Sequence, residues 1–296
     1  MRAIERLKYS PNLNARFLAS GKSRTIGVLV SNIENPYFLD ICKAVETRAN
    51  GAGYEVIIAN TGYNPERVAA SVRLMGGHRV SGLAAIGSEL DLQAVEELGA
   101  NGIPVAYFHD GAPRQNTFHI RVDYHRAMER LVAYLYGLGH RRVGVVSHDV
   151  KFGASERLSV LLRVAPLFAD LHLAIAADAD SLEGGRIAAR ALLTGHRGIT
   201  ALLCANDWMA MGALRALRES GLRVPGDISV TGFDNVNVAQ FCVPALTSVH
   251  IARGRIGQEI CDYLMNPATL QPREGFAIDA EVLVRGSTGP AATGRY

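Results

Sequence analysis

No apolar run in this chain of 296 residues approaches the roughly 18 residues that a membrane span requires. No apolar segment follows the opening Met1-Arg2-Ala3-Ile4-Glu5-Arg6, so a secretory leader is not expected either. Cysteine is scarce. The four thiols, Cys42, Cys204, Cys242 and Cys261, lie far apart, with no C-x-x-C pair and no Cys/His cluster at zinc spacing. That excludes a disulfide framework and points to buried structural thiols in a reducing cytoplasm. His119 and His125 have no partner at metal-ligand spacing, so no metal is expected. Phosphate-loop and nucleophile-elbow motifs are missing, and Gly51-Ala52-Gly53 ends a helical pattern and has no third glycine in register. Neither an enzyme nor a cofactor site is legible.

What is present is ordinary globular composition, 48% hydrophobic and 20% charged, in a chain long enough for two domains with separate cores. Charge is unevenly spread. Of 31 basic and 28 acidic residues, Arg2, Arg6, Lys8, Arg16, Lys22, Arg24 and the single acid Glu5 fall within the first 24, leaving 25 and 27 beyond. The whole positive excess therefore sits at the N-terminus, where basic arms meet nucleic acid or are simply solvated.

From residue 25 onward, short apolar runs alternate with amphipathic stretches. TIGVLV, YEVIIAN, SGLAAIG and IPVAYF read as strands, separated by helices over Pro36 to Gly51, Pro65 to Gly76 and about Asp91 to Gly99. Asn35-Pro36 and Asn64-Pro65 each set a capping asparagine before a proline at the first helical position. The pattern then restarts with helix Arg126 to Leu138, strands RRVGVVS, LHLAIAA, TALLCAN and ISVTGF, and helices from Ser155, Leu182 to Leu193 and Trp208 to Ser220. His140 reads as a helix-end residue. Repeated strand–helix–strand units mean parallel sheets covered by helices. Two such units of similar size, crossed near Arg121 and Ser248, create a cleft beyond their strand ends.

The residues just past each strand are the candidate lining. They are Asn35-Pro36-Tyr37-Phe38, Ser88-Glu89, His109-Asp110, Asp123 after the first crossing, Arg157, Asn206-Asp207 and Asp234-Asn235. Aromatic faces with converging Asp, Asn and Arg suit a polyhydroxylated ligand, since Arg forks across two oxygens and amides pair with hydroxyls. Each residue also has a plain role open to it: cap or turn for the Asn and Asp pairs, core for Tyr37 and Phe38, a solvated helical turn for Glu89 and Asp91. Their recurrence at one topological place favours the cleft.

The stretch YSPNLNARFLASGK, residues 9–22, reads as a lone basic helix with a glycine stop, too short to be stable by itself in water. Together with Leu7-x-Tyr9-x-Pro11-Asn12-x-x-Ala15-Arg16-x-Leu18, the chain carries Ile26-Gly27-Val28, Asn35-Pro36-Tyr37-Phe38 and Gly139-His140-Arg141-Arg142. It also carries Asn206-Asp207-x-x-Ala210-x-Gly212-Ala213-Leu214, Val224-Pro225-x-Asp227-Ile228-Ser229-Val230-x-Gly232-Phe233-Asp234, Pro244-x-Leu246-Thr247-x-Val249 and Val284-Arg285-Gly286-Ser287-Thr288. In these motifs it resembles the lactose-repressor/galactose-repressor (LacI/GalR) transcriptional regulators over essentially its whole length.

The resemblance implies an α/β fold of two Rossmann-like parallel-sheet subdomains, periplasmic-binding-protein-like (type I), with a ligand cleft between them and a short hinge helix ahead. It implies a homodimer whose hinges dock in the DNA minor groove, with Leu18 as the wedge and Asn12, Ala15 and Arg16 as its neighbours. It puts Asn35, Tyr37, Phe38, Arg157, Asn206 and Asp234 against a small effector, to which the strand-end reading adds His109 and Asp123. A carbohydrate-like effector is expected, ahead of a purine.

Some positions depart from the family pattern. His109-Asp110 replaces Asp-Arg, Ala179 stands where an aromatic wall is common, Tyr124 replaces Asn or Asp, and 151–172 matches poorly. Only eight residues precede Tyr9, where the family has a helix-turn-helix headpiece, so either translation starts upstream of Met1 or the chain is a DNA-blind descendant. The reading favours the first, with operator DNA as partner if a full headpiece is present.

The expected division is 1–23 for headpiece remnant and hinge, 24–121 with 249–267 for the first subdomain, 122–248 with 268–290 for the second, and 291–296 as a tail. Three other readings are open to this sequence. A transport-type binding protein shares the fold but should carry an export signal and no hinge; an enzyme lacks its reactive groups; a DNA-free paralogue could silence full-length relatives.

Overall fold

The computed structural model describes residues 23–87, 97–99, 101–108, 115–148, 156–266 and 276–292. The hinge positions Asn12, Ala15, Arg16 and Leu18, most of the helix expected from Asp91, and His109 lie outside the described residues.

The chain begins with β1 (Thr25–Val30), α1 (Pro36–Gly51), β2 (Glu55–Asn60), α2 (Pro65–Gly77), β3 (Gly82–Ile86), β4 (Val105–Phe108) and β5 (Thr117–Val122). It continues through α3 (Tyr124–Gly137), β6 (Arg142–His148), α4 (Glu156–Val164), β7 (His172–Asp178), α5 (Leu182–Gly195), β8 (Ala201–Cys204), α6 (Asp207–Glu219) and β9 (Ser229–Asp234). Last come β10 (Thr247–His250), α7 (Arg253–Met265), β11 (Phe276–Ile278) and β12 (Glu281–Leu283).

These strands form two six-stranded sheets, ordered β11-β5-β4-β3-β1-β2 and β12-β10-β9-β8-β6-β7. Every pairing is parallel except β12 against β10. Parallel strands covered on both faces must be apolar on both. β1 is buried at all six positions, with Ile26, Val28 and Val30 in the core that includes α1 and Leu29 in the one that includes α2. The capping asparagines behave as expected: Asn35 Oδ1 accepts from the Tyr37 amide at 3.0 Å, and Asn64 Oδ1 from the Glu66 amide at 2.8 Å.

Two elements differ from expectation. β5 was not read as a strand, because Thr117, His119 and Arg121 alternate polar side chains into what is a largely buried strand. His119 is buried edge-on to the Tyr107 ring at 4.6 Å, a packed core histidine. The second difference concerns the lobes. The chain crosses at Asp123, again between His250 and Arg253, and a third time between Ile278 and Glu281. β11 therefore pairs with β5 in the first sheet, whereas residues 268–290 had been assigned to the second lobe. Cys42, Cys204 and Cys261 are buried thiols, and Cys242 is half-buried.

Candidate functional site

Within each sheet five strands follow the doubly wound order 2-1-3-4-5, reading β2-β1-β3-β4-β5 and β7-β6-β8-β9-β10. The crevice for a ligand in such a sheet opens at the carboxyl ends where the winding reverses, here between β1 and β3 and between β6 and β8. Asn35 leaves the end of β1, Asn206 the end of β8 and Asp234 the end of β9. Arg157 enters on the first turn of α4, which follows β6.

Arg157 and Asp234 form a forked pair. Nη2 lies 2.6 Å from Oδ1 and Nη1 3.2 Å from Oδ2, while Nη1 also donates to the Ala205 carbonyl at 2.8 Å. Three rings surround the guanidinium, Phe233 at 4.5 Å, Tyr124 at 5.3 Å and Tyr37 at 5.7 Å. Cation–π contact of this kind strengthens as water is excluded, and the two side chains are only 14% and 2% exposed. Burial alone would lower the Arg157 pKa; Asp234 and the two phenols outweigh it and hold the group charged. Burial pushes Asp234 up, and Arg157 opposes that by hydrogen bond and charge. Burial also keeps the Tyr37 and Tyr124 phenols protonated.

Asp234 sits in a backbone conformation usual for glycine, φ 100°, as does Asn235 at 51°. Such strain persists only where surroundings over-determine it. Here they do. The Asn235 amide donates to Ser248 Oγ at 3.0 Å, Arg285 donates to Asn235 Oδ1 at 2.6 Å, and Arg253 donates to the carbonyls of both Asn235 and Asp234. Beneath the turn lies Asp207, fully buried, its carboxyl accepting from Ser248 Oγ at 2.6 Å and the Val236 amide at 2.8 Å. Burial, then the charge of Asp234, pushes Asp207 up to about 7.

The two lobes meet at Asp180. From the first lobe, Asn35 Nδ2 donates to its Oδ2 at 3.3 Å and the Tyr63 hydroxyl to the same oxygen at 2.6 Å. From the second, Asn206 Nδ2 donates to Oδ1 at 2.7 Å. Asn32 Nδ2 reaches the Asp180 carbonyl at 2.9 Å, and the Tyr63 ring stacks on His148 at 6.2 Å. Asn35 and Asn206 each use their side-chain oxygen as a helix cap and turn their amide nitrogen into the cleft. Cap and cleft residue, offered as alternatives by the sequence, are thus one arrangement. Asn206 is held by close helix packing: α5 and α6 cross so tightly that a Cβ on Gly212 would run into the Leu182 carbonyl, and one on Gly185 into Met209.

Of the sequence-derived residues, Asn35, Tyr37, Arg157, Asn206 and Asp234 come together. Phe38 packs edge-on to Tyr37 within the core. Asp123 stands exposed as the cap of α3, Oδ1 accepting from the Arg126 amide at 2.9 Å; it is Tyr124, next in sequence, that faces Arg157. Asp180, Tyr63, Asn32 and His148 were missed. Tyr63 and Asp180 follow the ends of the edge strands β2 and β7, so the strand-end rule, applied to those two strands as well, finds both.

Residues 132–288 match the family of periplasmic binding protein-like domains. The chain is 30% identical over 294 residues to the HTH-type transcriptional repressor PurR of Haemophilus influenzae, covering 96% of this chain and 87% of that protein. It belongs to the LacI family of transcriptional repressors. Among solved LacI-family structures, the Lac repressor dimer bound to operator and the anti-inducer ONPF superposes with a TM-score of 0.82 at 27% identity, over 95% of this chain and 99% of that one. A LacI-family regulator from Enterococcus faecium with bound ribose gives 0.79 at 24% identity, over 90% of this chain and all of that one. As a member of that family, the chain has the core of a transcriptional regulator. No helix among the described residues is long and apolar enough to cross a membrane.

Proposed function

We propose that the chain is the effector-sensing part of a homodimeric repressor, that a sugar or sugar derivative binds between the lobes, and that its binding changes operator affinity. One observation carries the reading: Asn35 from one lobe and Asn206 from the other turn their amides into the same cleft, beside the forked Arg157–Asp234 pair. Paired amides and carboxylates match the adjacent hydroxyls of a sugar, and Tyr37 and Tyr124 supply ring faces. The ribose-bound neighbour makes a pentose the first ligand to try.

Coupling to DNA requires only that the effector favour one relative placement of the lobes. The hinge segment Asn12, Ala15, Arg16 and Leu18 would read that placement out in the minor groove. Melting curves with and without ribose and common hexoses test the cleft: a ligand bound only by the native state raises the melting temperature. Replacing Leu18 by Ala, with the headpiece present, tests the hinge, and should weaken operator binding while leaving sugar binding unchanged. Equal operator affinity in the variant would dismiss the wedge.

A further inference from the structure

Asp180, which bonds to both lobes, has no cationic side chain bonded to it among the described residues. Asp234 is matched by Arg157, and Asp40 by Arg253 at 2.9 Å. Asp180 is held by neutral donors alone, the Asn35 and Asn206 amides and the Tyr63 hydroxyl. Three neutral hydrogen bonds stabilise a carboxylate without cancelling its field, and with water displaced by a ligand that field acts at high strength. The amides that should meet the ligand converge on this group, so a ligand in the cleft lies beside it.

Resting on the cleft function proposed above, we infer that Asp180 sets the charge class of the effector: the site takes a ligand carrying an ammonium group, such as an amino sugar, and rejects phosphate esters and sugar acids. The ammonium supplies the missing positive charge and donates to the lone pair left on Asp180 Oδ1. A neutral sugar fits but leaves the charge unmatched. A phosphate placed there meets it with like sign and, among the described residues, Arg157 offers no free charge because it is already committed to Asp234.

The test uses three matched sets in titration calorimetry: glucose, galactose and mannose, each with its 2-amino derivative and its 6-phosphate. In any set that binds, the amino member should bind at least tenfold tighter than its parent, and the phosphate at least tenfold weaker. Asp180→Asn should bring the three members of a set within about threefold of one another. Equal affinities across a set in the wild-type protein, a phosphate that binds best, or an amine preference that survives in Asp180→Asn would each overturn the inference. The wild-type series decides the point even if the variant folds poorly. If no set and no ribose control binds, the sugar reading itself fails, and this inference with it; a set that binds without regard to charge defeats the inference alone.

Discussion

The hydroxyl of Tyr63 donates to the carboxylate of Asp180 at 2.6 Å, from the end of an edge strand in one lobe to the end of an edge strand in the other. This bond, with those of Asn32 and Asn35 to the same residue, links the lobes directly. Tyr63→Phe keeps the ring and its stacking on His148 and removes the hydroxyl that makes the bond. The expected cost is about 1 kcal/mol of closure. Small-angle scattering of the ligand-free protein should show a larger radius of gyration in Tyr63→Phe than in wild type, and identical profiles would show that this bond does not hold the lobes.

The Arg157–Asp234 pair is mostly buried, so removing one partner strands the other. Arg157→Ala should lower stability by about 3 kcal/mol in urea titrations. Adding Asp234→Asn should recover at least about 1 kcal/mol of that loss, because the orphaned charge goes with it. A double variant no more stable than Arg157→Ala would mean that the damage comes from lost ring packing.

Asp207 carries a pH signature. Its native pKa is pushed up to about 7 by burial and then by Asp234, far above the ordinary aspartate range of the unfolded chain. Between about pH 4 and pH 7 the native state therefore holds a proton that the unfolded state has released, and this contribution to stability is full below pH 4 and lost as pH rises through 7. The decline is at most about 4 kcal/mol. Asp207→Asn keeps the shape and one of the two acceptor oxygens, and should flatten the stability difference between pH 5 and pH 8 relative to wild type. The same difference in both proteins would put the titration elsewhere.

Gly212 offers a packing test. The Cβ of Gly212→Ala would collide with the Leu182 backbone carbonyl, which cannot swing aside as a side chain could. Overpacking against backbone should cost about 3 kcal/mol. Because α5 begins beside Asp180 and α6 beside Asn206, the forced separation should also weaken ligand binding, which calorimetry on the folded fraction can read.

The proposed homodimer has a candidate face in the loop after β9, where Phe241 is 76% exposed and Val243 95%. Two large apolar side chains this bare, two residues apart in the chain, offer such a surface. Phe241→Asp with Val243→Asp should shift the sedimentation coefficient to that of a monomer at micromolar concentration. A dimer that persists would place the interface elsewhere.

What could be read beforehand follows the strength of local signals. Asn35-Pro36 and Asn64-Pro65 fixed two helix starts to the residue, since cap chemistry is local. The central strands were legible as continuous apolar runs. β5 was not, because Thr117, His119 and Arg121 break its run, and β11 and β12, three residues each, are too short to carry a period. That is why the third crossing was misplaced. Arg157 and Asp234 are reached from the strand ends and again through the family resemblance, but their pairing is a property of the fold. Asp180 carries no local signal of its own ahead of the cap Ser181, and its partners Asn35 and Tyr63 lie in the opposite lobe, distant in sequence.

Trp208, the chain's single tryptophan, stands on the first turn of α6, two residues after Asn206. Its emission is the most direct report on whether the cleft takes a sugar. Titration with ribose, the three hexoses and their amino derivatives should give a saturable change in Trp208 fluorescence for at least one of them, at the concentration where calorimetry finds heat. No change in emission and no heat with any of these ligands would contradict the account.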